Sequence, residues 1–191
     1  MSEIKNVGAY HLADNPDMYE PMRRNNFMFI VTGIDNIVNV GSKTGETIKN
    51  ISEVLKYSVV SATIPTFSQN PIEIRRGNSV IKAAGTPSFS DGTIVVRDFV
   101  GADTKSALMS WQNLSYNVKT ERVGKMSDYK KTCYLVEYNV DFTSIVRTWK
   151  MMGCWVSNIS EDAYDVTSGD VQQITATISY DKAFMELPDE I

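Results

Sequence analysis

Along most of this chain apolar and polar side chains alternate with the two-residue period of half-buried β-strands. Residues 27–32 (FMFIVT) open the series and are apolar on both faces, so both faces need cover, within the fold or from another copy. A strand pattern returns over 55–62 and ends at Ile64-Pro65. Pro65 and Pro71 then bracket the entry into a hairpin, because the residue before a proline is pushed toward extended geometry. The two limbs, 72–75 and 79–82, flank Arg76-Gly77-Asn78, where Gly and Asn tolerate the positive φ of a tight turn. Ser90-Asp91-Gly92 marks a second turn, and 93–99 is rich in β-branched residues. Further on, 132–140 sets Tyr134, Val136, Tyr138 and Val140 on one face and Cys133, Leu135, Glu137 and Asn139 on the other. Its antiparallel partner is 147–156, reached through a turn near 141–145. The last strand, 173–181, alternates throughout.

Helical spacing is rarer. Asp103 or Thr104 can cap a helix whose Ala107, Leu108, Trp111 and Leu114 fall on one face. Within 33–53, Ile48, Ile51, Val54 and Leu55 would line a short helix, with an extended hairpin arm as the alternative. Residues 1–26 are polar and without period, 116–126 reads as a polar loop, and 161–170 as an acidic one. Strands and helices do not alternate, which argues against a parallel sheet. The expected fold is mainly β: two packed antiparallel sheets or a partly closed β-barrel, with one short α-helix at its edge. The expected organisation is a flexible N-terminal segment (1–26), a β-domain (27–185) with an insertion at 33–53, and a C-terminal tail (186–191).

Composition narrows the chemistry. At 191 residues with a formal charge of −4, the chain lacks the basic surface that phosphate neutralisation requires. Residues 1–10 have no apolar run and no window nears about 20 apolar residues, so membrane insertion is not expected and assembly in a cytoplasm is. Cys133 and Cys154, the only cysteines, sit in strand patterns and read as half-buried thiols rather than a disulfide. His11 is the only histidine and lies in the N-terminal segment, which removes the usual nucleophile–base pairs and a zinc ligand set. Gly41-Ser42-Lys43-Thr44-Gly45 lacks the spacing of a phosphate loop. Asp91 reads as a turn residue and Glu161-Asp162 with Asp165 as a solvated loop. Asp98 shares a strand face with Ile94 and Val96 and is expected to pair with an Arg or Lys of a neighbouring strand or subunit. No catalytic residue, cofactor or metal is expected. Phe89, Trp111, Trp149 and Trp155 read as core or interface anchors.

The stretch 71–112 also resembles the tail tube proteins of contractile-tailed bacteriophages. The family's pattern of a hairpin, "FxDxTVxV" and a helix ending in an aromatic and Gln is matched by Phe89, Asp91, Thr93, Val95 and Trp111-Gln112. Ala62-Thr63-Ile64-Pro65, Asp128-Tyr129-Lys130-Lys131, Gly153-Cys154-Trp155-Val156-Ser157-Asn158-Ile159 and the final strand follow in the family's order. The likeness spans 25–184, and 33–53 departs from its shortest members. It implies a virion tail protein: hexameric rings of this chain stacked into a conduit through which DNA passes without specific binding. The implied partners are further copies, sheath, baseplate initiator, tail terminator and tape-measure proteins. The hairpin (Ile72, Glu73, Ile74, Arg75, Arg76, Asn78, Val80, Lys82) is expected to reach the next ring. Small polar positions such as Thr175, Thr177 and Ser179 are expected to face the lumen. A genome-free contractile injection tube, a baseplate tube initiator and a monomeric small-ligand-binding β-barrel are the alternatives.

Overall fold

The computed structural model describes residues 21–35, 40–41, 47–48, 51–101 and 103–186. In chain order the elements are β1 (Phe27–Thr32), the short pair β2 (Val40–Gly41) and β3 (Thr47–Ile48), α1 (Ile51–Ser58) and β4 (Val59–Ala62). Next come β5 (Phe67–Gln69), β6 (Ile72–Arg76), β7 (Ser79–Ala83), β8 (Pro87–Phe89) and β9 (Gly92–Arg97). They are followed by α2 (Thr104–Ser115), β10 (Tyr116–Asn117), β11 (Arg122–Val123) and α3 (Met126–Tyr129). The chain closes with β12 (Lys131–Tyr138), the long β13 (Ile145–Glu161), β14 (Gln173–Ser179) and β15 (Lys182–Glu186).

β13 is the spine. Its first half lies between β12 and β15, with β1 outside β12; its second half pairs with β14, beyond which lie β9 and β4. Because β14 and β15 are consecutive and both antiparallel to β13, they act as one partner strand broken at a corner. Pairing runs from Thr148↔Glu186 to Met152↔Lys182, then from Trp155↔Ser179 to Glu161↔Ile174. The corner needs Gly153, whose φ is +72° and whose missing side chain leaves room for the Asp181 carboxylate. Asp181 N–H donates to Met152 O (3.0 Å), and Lys130 Nζ donates to both Asp181 carboxylate oxygens (2.8 and 2.7 Å). One ribbon thus turns from one sheet into the other.

The two sheets face each other across a continuous apolar core. Phe29, Val31, Leu135 and Met151 come from the first, and Ile94, Val96, Val156, Ile174, Ala176 and Ile178 from the second. Ile51 and Leu55 of α1 and Ala107, Leu108 and Trp111 of α2 close the sides. α2 starts where expected: Asp103 Oδ1 accepts from Ser106 N–H at 2.8 Å.

The mainly β, antiparallel fold agrees with the sequence reading, and several local expectations need correction. Three helices are present among the described residues, not one. The strand expected over 55–62 begins only at Val59, because Ile51, Leu55 and Ser58 are buried at helical spacing. The 116–126 loop contains the β10–β11 ribbon and the start of α3. β15 was not anticipated as a strand. Both thiols are fully buried and free, not half-buried. Of the 33–53 insertion, the β2–β3 pair and the start of α1 are described, so both alternatives hold in part. Residues 1–20 and 187–191 lie outside the described residues.

Candidate assembly interfaces

From the corner end of the second sheet, the chain leaves as a long antiparallel arm. The β4–β9 pairing continues through Thr63 N–H to Thr93 O (2.9 Å) and Ser90 N–H to Thr66 O (3.3 Å), then β5–β8 and finally β6–β7. The base is anchored by Phe89, its ring centroid 5.9 Å from Phe67 and 6.1 Å from Tyr180. Midway, at Asn70-Pro71, the register shifts by one residue between β5–β8 and β6–β7. There the Asn70 carbonyl occupies the space where a Cβ on Gly85 would lie. The tip turns at Gly77 (φ +58°) and Asn78, with Ser79 Oγ donating to Arg76 O at 2.9 Å. Thr63 to Arg76 is 14 residues, which at about 3.3 Å each reach roughly 45 Å at most.

Every side chain from 72 to 82 is exposed, including Ile72 (56%), Ile74 (49%), Val80 (50%) and Ile81 (50%). In register, Ile72 and Ile74 lie opposite Ala83 and Ile81 on one face, while Glu73 and Arg75 lie opposite Lys82 and Val80 on the other. An isolated two-stranded ribbon of this kind is marginal in water. Its apolar face has no partner within the described subunit.

The sheets are also open at their margins. Among the described residues, β1, β4 and β15 each pair on one side only. The free margin of 155–161 is partly met by α2, where Gln112 Nε2 donates to Ser157 O at 3.3 Å. Thr175, Thr177 and Ser179 lie on the face of β14 away from the core. Their register neighbours on that face are Thr93, Val95, Trp155, Asn158 and Ser160, and Gln173 at the strand's start lies opposite Arg97, so the face is mixed, with one basic side chain at its end. On the outer face of the first sheet, Lys150 Nζ bonds Glu186 Oε1 at 3.0 Å and lies 5.8 Å from the Tyr134 and Phe184 ring centroids. The bond to Glu186 holds the ammonium pKa above its ordinary value.

The aromatic anchors do not form one site. Trp111 is fully buried and donates Nε1–H to Tyr129 O at 2.9 Å. Trp149 packs against the core and donates to Glu137 Oε1 at 3.2 Å, beside the Glu137–Arg147 pair (3.0 Å). Trp155 meets Tyr129 edge-on at 5.9 Å. Asp98 Oδ1 accepts from Thr104 N–H (3.0 Å) at the start of α2. Glu161 pairs with Lys105 (2.7 Å), and Asp165 accepts from Thr167 N–H and Oγ–H, which lowers its carboxyl pKa. Burial, with Cys154 alongside, pushes the Cys133 thiol well up. Among the described residues no group of three His, Cys, Asp or Glu gathers that could hold a metal ion, and no helix is long and apolar enough to cross a membrane.

No protein-family model matches the chain. It is similar to the tail tube protein gp19 of Enterobacteria phage T4, 23% identical over 136 residues that cover 70% of this chain and 83% of that protein. The gp19 of phage T6 is similar to the same extent. In fold it is similar to a chain of the sheath–tube complex of an extracellular contractile injection system, PVC (TM-score 0.62, 20% identity, 90% of this chain and 95% of that one). A chain of the anti-feeding prophage tube terminating cap is also similar in fold (TM-score 0.61, 17% identity, 87% and 91%).

Proposed function

We propose that this chain, a homologue of the phage tail tube protein gp19, is the repeating subunit of the inner tube of a contractile tail. The observation that carries the reading is a subunit unfinished in two directions among the described residues: its sheets have unpaired margins, and its arm exposes an apolar face that no described residue of the same copy covers. Unpaired margins are hazards for a solitary protein and bonds for a ring, since each can add to the sheet of the next copy until rotation closes the set. Six copies per ring follow from the family resemblance. The arm then contacts the neighbouring ring, a head-to-tail contact that repeats without closing and so builds a filament. Burying four half-exposed Ile and Val side chains contributes about 1 kcal/mol each.

In this reading the face of Thr175, Thr177 and Ser179 lines the lumen, where DNA slides past without specific binding. Phe89, Trp111, Trp149 and Trp155 hold the frame. The segment 1–26 precedes the β-domain 27–185, and the insertion 33–53 interrupts it, with Ile34 and Ile51 in its core. Sheath, terminator and baseplate proteins are the partners, since the neighbours in fold come from a sheath–tube complex and a tube terminating cap. A tape-measure protein within, DNA ejection and assembly in the host cytoplasm complete the proposal.

The PVC likeness supports a second reading, the tube of a particle that carries no genome. A monomeric ligand-binding barrel finds no closed sheet among the described residues. Negative-stain microscopy of the purified protein at rising concentration separates the classes: hollow rings and short tubes are expected, and persistent monomers would exclude a tube. Copy number in the native particle, many tens against six, separates tube from initiator.

A further inference from the structure

The arm needs a receiving surface, and the same sheet offers one at its far end. β9 starts beside the arm at Gly92 and ends at Arg97, while β14 starts opposite Arg97 at Gln173 and ends toward the arm. The loop 162–172 between β13 and β14 therefore leaves the sheet at the end opposite the arm. Residues 98–101 join it there, tied by Asp98 N–H to Gln172 O at 3.4 Å.

These two loops form an apolar platform with one sign of charge. Val100 is 86% exposed and Tyr164 82%, and Val166 and Val171 are exposed beside them. The stretch 161–172 carries four carboxylates and no Lys or Arg, and Glu161 is held by Lys105 at the platform's border. The arm presents the complement: apolar Ile72, Ile74 and Ile81 on the face that carries Arg76, with Arg75 and Lys82 on the other face against the single acid Glu73. Two complementary surfaces at opposite ends of one sheet are what a head-to-tail contact between copies requires.

We propose that the platform formed by residues 98–101 and 162–172 is the docking site for the arm of a second copy in the adjacent ring. This rests on the tube reading and adds its acceptor. The apolar residues bury against one another, and the carboxylates select the basic tip and fix which end of a ring receives it.

The test is a charge exchange read by negative-stain microscopy, with circular dichroism establishing that each variant is folded. Asp162→Lys/Asp170→Lys in the full chain is expected to yield single rings that do not stack, as is Arg75→Glu/Arg76→Glu. The four changes together restore stacking. Val100→Asn/Val166→Asn, which leaves the charges alone, also weakens stacking. Stacking of the folded Asp162→Lys/Asp170→Lys chain at the unaltered level would overturn the acceptor assignment while leaving the tube reading intact. So would failure of the combined chain to stack when both separate variants form rings. An unaltered chain that never forms rings defeats the tube reading itself.

Discussion

Trp111 combines two requirements in one side chain: its ring fills the space between α2 and the sheet, and its N–H satisfies the Tyr129 carbonyl. Trp111→Ala should cost about 3–5 kcal/mol in urea unfolding of the subunit through the cavity it leaves. Trp111→Phe, which keeps an aromatic but orphans that carbonyl, should cost about 1–3 kcal/mol. Equal losses for the two would remove the hydrogen bond from the explanation. Asp165 permits a pH test. The Thr167 bonds lower its folded pKa, so their stabilisation is present above the ordinary value of 3.8 and disappears as pH falls through the folded value. The Thr167 amide resonance should therefore move with a midpoint below pH 3.8, and a midpoint at or above it would contradict the bonding. At this scale the sequence was readable where contacts are local. Asp103 three residues before Ser106, and Gly77-Asn78 at a tip, declare their roles. The bond from the Thr104 amide to Asp98 was not legible, because it spans a loop whose path has no periodic signal.

Elements were readable where one period ruled. β12, β14 and the arm strands alternate and were found, whereas α1 was half lost because its apolar residues also fit a short strand. β15 alternates too, with Ala183 buried and Phe184 on the other face, and could have been found by carrying the period past Asp181. The bend in β13 was out of reach, since Gly153 is explained only by Asp181 and Lys130, which are distant in sequence. Nor does alternation reveal that the arm stands alone: Ile72, Ile74 and Ile81 look like any half-buried strand. That isolation has a consequence. Replacing 71–84 by a two-residue turn should leave thermal unfolding of the subunit unchanged in calorimetry while abolishing ring stacking in sedimentation. A large fall in Tm would mean that the arm supports its own core. Gly85→Ala places a Cβ on the Asn70 carbonyl and should likewise spare the core yet impair stacking, as the arm loses its direction.

For the whole molecule, the sequence indicated mainly β architecture and a role in assembly, while the distribution of surfaces came only with the fold. Small polar side chains of β14 share the outer face of the second sheet with Val95, Trp155 and Arg97, and apolar side chains with opposite charges occupy its two ends. With a net charge of −4 and no basic face on β14, the protein should show no binding to duplex DNA in fluorescence anisotropy at 50 mM salt. Binding that weakens steeply with salt would contradict a passive conduit. The central claim is that open sheet margins and an unsupported arm join many copies into a hollow cylinder. A cryo-EM reconstruction of the assembled protein tests it most directly. Subunits joined margin to margin around an open lumen, each arm lying on the next ring, are expected; a sealed solitary subunit with the arm folded onto its own sheets would rule this assembly out.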